Sequence, residues 1–284
     1  MNEITTTIDW LSITSTNMHP CPDFLEYDTT WASLGRGMMG YDNAVTNEYL
    51  VKRLTSSTRK DMGTHLIYSG KSLNEVGERM NKFDLLKYHY LQGDTIKRVD
   101  IAVDMIGAKI PLNELIFAFR NGHAQTRARK AVVTQDLCDS GYTLYIGSKV
   151  KRKKLDRIYD KGIEQGVDFD WMRVELQLMG ASALDATKKL IECSHDNRAD
   201  MIRGMVKSFC HFPTIPLWVQ MFDIIPVNVK SHDYKKGDTQ QWLMTKVLPT
   251  LVRECYVDMS FWAQFMMKFS EDINTMEMGE QSDV

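Results

Sequence analysis

Apolar and polar residues alternate in several short segments over the first two thirds of the chain. β-Branched and aromatic residues dominate positions 5–14, 64–69 and 96–106, and alternation continues through AVVTQDL, YTLYIGS, LDRIYDK and WMRVELQLM. A period of two with these residue types is typical of half-buried strands. We therefore predict that a sheet dominates residues 96–179 and that earlier strands join it.

Helical spacing replaces this alternation elsewhere. From Ser72, a residue type suited to an N-cap, apolar residues recur at helical intervals to about Leu91, and Pro111 is predicted to open another helix. The segments ALDATKKLIEC, ADMIRGMVKSF and DTQQWLMTKVLPTLVREC share that period, and an acidic tail follows them. We predict an α+β fold with a mostly antiparallel sheet flanked by helices at 1–212, and a helical C-terminal region at 213–284.

Charge and cysteine content narrow the class of protein. The 284 residues carry a formal net charge of -2, so the chain lacks the basic excess of proteins that coat nucleic acid, and any DNA contact must use local patches. Five cysteines at irregular spacings predict neither a disulfide framework nor a zinc site and favour a cytoplasmic protein. No apolar stretch approaches the roughly 18 residues of a spanning helix, so we expect no membrane partner.

Carboxylates share a face on two of the predicted strands. In RVDIAVD, strand alternation places Asp100 and Asp104 on the same side as the small Ala102, and Glu175 shares one side of WMRVELQLM with Arg173. Aspartate is depleted in strands, so the pair needs an explanation. It marks either a solvated face or a site for a hard cation such as Mg²⁺ or Mn²⁺.

A tyrosine with basic neighbours lies on another predicted strand. Alternation in RIYDK places Arg157, Tyr159 and Lys161 together, so that two cations flank the phenol and favour the phenolate. An unperturbed tyrosine has a pKa of about 10 and is a poor nucleophile at neutral pH, so the chemistry would need such neighbours. The alternative is a structural tyrosine at the edge of the sheet.

Basic residues precede this tyrosine and occur again in the segment RARK. The candidates for phosphate contact are Lys149, Lys151, Arg152, Lys153, Lys154, Arg173, Arg127, Arg129 and Lys130. Such runs neutralise DNA phosphates, although they are also typical of solvated loops. Gly70, Lys71 and Ser72 resemble the end of a phosphate-binding loop, but His65 stands where its first glycine belongs, so no ATPase is predicted.

The order of six segments resembles the replication initiation factor family. The segments are IDWLSIT, GTHLIYSGKS, RVDIAVD, TLYIGSK, RIYDKG and WMRVELQLMG, which span residues 9–183. The family comprises plasmid and filamentous-phage rolling-circle initiators and related transfer relaxases. The resemblance implies a relaxase-like antiparallel sheet, Tyr159 as nucleophile, and Asp100, Asp104 and Glu175 as ligands of Mg²⁺ or Mn²⁺. Transfer relaxases of the family often carry an added N-terminal helical domain, whereas this chain begins on a predicted strand. We therefore expect a role in phage or plasmid replication rather than in conjugative transfer.

The sequence thus predicts a rolling-circle initiator that nicks and closes one DNA strand at a replication origin. Attack by Tyr159 would leave a 5′-phosphotyrosine and a free 3′-hydroxyl, with Arg157 and Lys161 absorbing charge at the phosphate. The partners would be origin DNA together with a host helicase and polymerase. Two alternatives stay open: a metal nuclease that uses water as nucleophile, and a non-catalytic origin-binding or copy-control protein.

Overall fold

The computed structural model describes residues 3–135, 141–148 and 153–231, together with scattered residues between 244 and 270. The chain divides into two compact units, Met1–His232 and Asp233–Val284. The predicted boundary at residue 213 falls inside the first unit, because Trp218 and Phe222 beyond it are fully buried in the core. The fold described below is that of the first unit.

The described residues contain one large antiparallel sheet. The strands, in chain order, are β1 (Glu3–Ser15), β2 (Ala32–Ser33), β3 (Asn43–Thr46), β4 (Lys52–Thr55), β5 (Thr64–Tyr68), β6 (Thr95–Ile106), β7 (Gln125–Thr126), β8 (Ala131–Gln135), β9 (Tyr142–Gly147), β10 (Lys154–Asp160), β11 (Trp171–Met179) and β12 (Cys210–His211). Strands β7 and β12 pair only with each other, and the rest form a ten-stranded sheet in the order β2-β3-β4-β5-β1-β6-β11-β10-β9-β8.

Helices of the first unit flank this sheet. They are α1 (Asp23–Glu26), α2 (Gly70–Gly77), α3 (Lys82–Leu91), α4 (Leu112–Arg120), α5 (Lys161–Gln165), α6 (Ala181–Glu192), α7 (Arg198–Phe209) and α8 (Pro216–Met221). Strand β6 contacts α3, α6 and α7, and its residues Val99, Ile101, Val103 and Met105 are fully buried in the core. Because strand side chains alternate, Asp100 and Asp104 face the other side of the sheet.

The structure confirms the predicted α+β class with a mostly antiparallel sheet flanked by helices. The helix predicted from Ser72 to Leu91 is instead two helices. Ser69 caps α2 by accepting from the Ser72 backbone N–H at 3.4 Å, and Asn81 caps α3 by accepting from the Phe83 N–H at 2.8 Å. Asparagine competes for backbone groups in a helix interior, which explains the break.

Strands β3 and β4 were not predicted. Each is only four residues long, and both contain exposed or half-buried polar side chains, so neither provides a run of alternation long enough to recognise. Over the described parts of the chain, every helix is too short or too polar to cross a membrane.

Candidate active site

Five of the predicted site residues lie in two neighbouring rows across the sheet. In one row, Asp104 on β6 pairs with Arg173 on β11, which in turn pairs with Tyr159 on β10. In the next, Glu175 on β11 pairs with Arg157 on β10. Directly paired residues of antiparallel strands point to the same face, so the register brings these five side chains together.

These rows border an open cleft of about 670 Å³ on the face of the sheet opposite α6 and α7. Other side chains around the cleft come from β1, α2, α3 and β11, and include Asp9, Trp10, Lys71, Asn74, Lys82 and Trp171. The cleft is therefore lined by basic, acidic and aromatic groups from segments that are far apart in the sequence.

Arg173 connects two carboxylates of the cleft. Its Nε and Nη2 donate to Oδ1 and Oδ2 of Asp104 at 2.7 and 2.8 Å, and its Nη1 donates to Asp9 Oδ1 at 2.7 Å. The Trp171 indole N–H also donates to Asp104, at 2.8 Å. Only 6% of Arg173 is exposed, so this bidentate pairing fixes a desolvated guanidinium at one end of the site.

Arg157 connects the other two predicted ligands. It forms an ion pair with Glu175, and its Nη2 lies 3.1 Å from Asp100 Oδ2. Asp100 is fully buried and also accepts from Arg98 Nε at 2.8 Å. Burial raises the pKa of Asp100, an effect that the two arginines oppose.

Tyr159 donates its hydroxyl to Glu175 Oε2 at 3.4 Å. The Lys161 ammonium lies 5.7 Å from the Tyr159 ring centroid and pairs with Glu164 Oε2 at 2.7 Å. Burial raises the pKa of Tyr159, and the charge of Arg173 opposes this only in part. The expectation that flanking cations favour the phenolate is therefore wrong for the protein without DNA, because desolvation outweighs them.

The residues after Tyr159 end its strand sharply. Asp160 caps α5 by accepting from the Ile163 N–H at 3.0 Å, and it also pairs with Lys109 at 3.2 Å. A Cβ on Gly162 would lie 2.8 Å from the carbonyl oxygen of Phe169, so only glycine fits there. The segment RIYDKG thus places the tyrosine next to a tight strand-to-helix turn.

The three predicted metal ligands do not form one ligand set. Asp100 and Asp104 are separated by about 13 Å along β6, at roughly 3.3 Å per residue. Asp100 forms ion pairs with Arg98 and Arg157. Asp104 forms an ion pair with Arg173, and Glu175 forms one with Arg157. In the described ranges, no three His, Cys, Asp or Glu side chains converge closely enough to hold a metal ion. The oxygen donors suit Mg²⁺ or Mn²⁺, but their arrangement does not.

Of the predicted phosphate-contact residues that the structure describes, Arg173 lines the cleft and the others do not. Lys149, Lys151 and Arg152 lie outside the described residues. Lys153 Nζ donates to the Ser231 carbonyl at 3.2 Å, and Lys154 Nζ donates to that of Val229. Arg127, Arg129 and Lys130 are exposed and do not line the cleft. Lys154 therefore holds the chain after α8, in addition to any role in binding DNA.

Several residues of the cleft were missed at the level of sequence. Asp9 sits where the register of β1 on β6 shifts between Ile8 and Trp10, and such bulges often occur next to active sites. An aspartate between two large apolar residues in a strand was the available signal. The sequence contains no such signal for Lys82, because its place in the cleft depends on how α3 packs against β1.

A family model described as replication initiation factor matches residues 94–253. The chain belongs to the replication initiation factor family. The match includes β6, β10 and β11, and thus Asp104, Tyr159 and Glu175. The fold is similar to the solved structure of a rolling-circle replication initiator protein from Geobacillus stearothermophilus, with a TM-score of 0.62 and 20% identity over 80% of this chain and 93% of that chain. No curated protein sequence matches the chain.

Proposed function

We propose that this protein initiates rolling-circle replication by nicking one strand of its origin through Tyr159. The observation that carries the proposal is the hydrogen bond from the Tyr159 hydroxyl to the Glu175 carboxylate, in a cleft that also contains Arg157 and Arg173. A nucleophile, a proton acceptor and fixed positive charge are the parts that phosphoryl transfer to a tyrosine requires.

The first step is attack of the Tyr159 oxygen on phosphorus. Because burial raises the pKa of Tyr159, the phenol is neutral at physiological pH and must lose its proton as the new bond forms. Glu175 accepts that proton. The bond between phosphorus and the 3′ oxygen breaks, and the 3′ oxygen takes a proton from water. The hydroxide that remains takes the proton from Glu175, so the products are a 5′-phosphotyrosine and a free 3′-hydroxyl.

Positive charge beside the tyrosine stabilises the transition state. In the transition state of phosphoryl transfer, negative charge spreads over the non-bridging oxygens, and preorganised cations lower the energy of that state. Arg157 and Arg173 are held in place by carboxylates on two sides, so they need little rearrangement when the strand arrives. Lys161, next to the tyrosine ring, extends this field.

Strand closure is the reverse of nicking. The phosphotyrosine link retains the energy of the phosphodiester, so a 3′-hydroxyl can attack it and release Tyr159 without ATP. Until then the free 3′ end is available to a host polymerase, and a host helicase would open the duplex.

No step above passes through a metal ion, because the carboxylates do not form a ligand set in the described structure. The requirement for Mg²⁺ or Mn²⁺, with Asp100, Asp104 and Glu175 as ligands, stays a prediction from the family resemblance. Nicking in Mn²⁺ and in EDTA tests it separately from the role of the tyrosine.

The experiment is incubation with supercoiled DNA that carries the flanks of the protein's own gene, with Mn²⁺ and with EDTA. We expect open circles from the unaltered protein and from Tyr145→Phe, and none from Tyr159→Phe. Nicking by Tyr159→Phe would favour the nuclease that uses water. Tight binding without any nicking would favour the non-catalytic origin-binding protein.

A further inference from the structure

Most basic side chains around the cleft are already neutralised by carboxylates. The pairs are Arg98 and Arg157 with Asp100, Arg157 with Glu175, Arg173 with Asp104 and Asp9, and Lys161 with Glu164. Within the described structure, Lys82 and Lys71 line the same cleft without an ion pair. The basic side chains of the cleft that have no carboxylate partner are therefore on the side formed by α2 and α3.

Lys82 is held in a defined position by neutral groups. It is the first residue of α3, it is half-buried, and its Nζ donates to Thr7 Oγ1 at 3.1 Å and to Asn74 Oδ1 at 2.8 Å. An ammonium has three N–H donors, so one remains beyond these two contacts. Neutral acceptors orient the ammonium but form no ion pair with it.

Asp9, which lines the same cleft, does not pair directly with Lys82. Asp9 is engaged by Arg173 at 2.7 Å and makes no ion pair with Lys82 in the described structure. Burial lowers the pKa of Lys82, which means that desolvation of the ammonium is the dominant influence on it. Asp9 and Asp104 attract the ammonium without contacting it, and the charge of Arg173 opposes them, so an anion arriving in the cleft would supply the direct ion pair that Lys82 lacks in the described structure.

The position of Lys82 relates directly to that of the tyrosine. Its acceptor Thr7 pairs with Ala102, and Ala102 pairs with Glu175, so the three form one row across β1, β6 and β11. At roughly 4.8 Å between strands, Thr7 and Glu175 are about 10 Å apart. Glu175 accepts from Tyr159, so the ammonium and the nucleophile lie at the two ends of this row.

We propose that Lys82 binds a backbone phosphate of the DNA strand that Tyr159 attacks, with Lys71 adding charge at the edge of the cleft. The proposal rests on the proposed function in that it requires a DNA strand in this cleft. Lys82 is a positioning residue here: it holds the strand while other groups carry out the chemistry. The start of α2 assists, because a Cβ on Gly70 would lie 3.0 Å from Asp9 Oδ1, so glycine allows the helix to approach β1.

The test compares Lys82→Gln with Lys87→Gln, which removes the same charge from an exposed position on the same helix. Binding of a single-stranded oligonucleotide from the flanks of the protein's own gene is titrated at several salt concentrations. The slope of log K against log salt is negative, and loss of one phosphate contact makes it shallower by about 0.7 for single strands. We expect this shallower slope for Lys82→Gln, and an unchanged slope for Lys87→Gln and for the charge-retaining Lys82→Arg.

An unchanged slope in Lys82→Gln, or an equal change in Lys87→Gln, would overturn the proposal. Thermal melts check the fold, and Lys82→Met, which retains the apolar stem, replaces Lys82→Gln if that variant unfolds. All titrations use the Tyr159→Phe background, so they require no cleavage. If nicking fails while the slope depends on Lys82, the proposed function fails and the phosphate contact of Lys82 stands. If nicking occurs and the slope does not change, only the inference about Lys82 fails.

Discussion

Replacing Glu175 by glutamine would remove the proposed proton acceptor of Tyr159 and keep the shape of the side chain. The Tyr159 hydroxyl is 3.4 Å from Glu175 Oε2. Because burial raises the pKa of the phenol, almost none of it is ionised at neutral pH. A positioned general base contributes about 10²- to 10⁴-fold to a rate. We expect Glu175→Gln to slow nicking by that factor, which corresponds to about 3–5 kcal/mol of activation free energy.

The pH dependence separates this role from a structural one. Without the carboxylate, the reaction depends on phenolate formed in advance, so the rate of Glu175→Gln should rise about tenfold per pH unit below the pKa of Tyr159. The unaltered protein, which removes the proton during attack, should show a weaker dependence. Single-turnover nicking of supercoiled DNA across a series of pH values measures both.

Manganese titration separates the base from a metal ligand. If Glu175 held a metal ion, a high Mn²⁺ concentration would restore much of the activity of Glu175→Gln. As a base, Glu175 cannot be replaced by the ion, and activity stays low at every Mn²⁺ concentration. Rescue by Mn²⁺, or an unchanged rate in a variant that melts normally, would refute the reasoning.

Two further predictions concern stability. Asp104→Asn leaves the buried Arg173 with only Asp9, and the free energy of unfolding should fall by about 3 kcal/mol, the lower end for a broken buried pair, in urea denaturation. Asp156 is fully buried, neither oxygen has a described hydrogen-bond partner, and burial raises its pKa well above the ordinary value. The folded protein keeps a proton that the unfolded chain loses above about pH 4, so stability falls as pH rises through the folded pKa, by up to about 1.4 kcal/mol per pH unit. Asp156→Asn should remove that slope and the exposed Asp168→Asn should not; equal slopes in all three proteins would contradict this.

Strand alternation predicted the face on which the main site residues lie. Long strands such as β6 and β11 bury one side in the core, so a period of two places Asp104, Arg173 and Glu175 on the other. Alternation contains no information on the register between strands. The pairing of Asp104 with Arg173, which occupies a predicted metal ligand, follows from that register and was therefore not predictable.

Other parts of the site depend on packing between distant segments. Lys82 reaches Thr7 only because α3 packs on β1, and α3 is a separate helix because Asn81 caps it, although the apolar period runs on through both helices. The raised pKa of Tyr159 likewise comes from its burial, whereas the sequence shows only its charged neighbours. Charge next to an ionisable residue is visible along the chain, but desolvation is a property of the folded protein.

The attachment point of DNA tests the central claim most directly. The protein is reacted with supercoiled DNA from the flanks of its own gene, the covalent adduct is trapped and digested, and mass spectrometry identifies the modified peptide. We expect a 5′-phosphate on the peptide that contains Tyr159, and no adduct from Tyr159→Phe. DNA on the peptide that contains Tyr145, or an adduct that persists in Tyr159→Phe, would contradict the account.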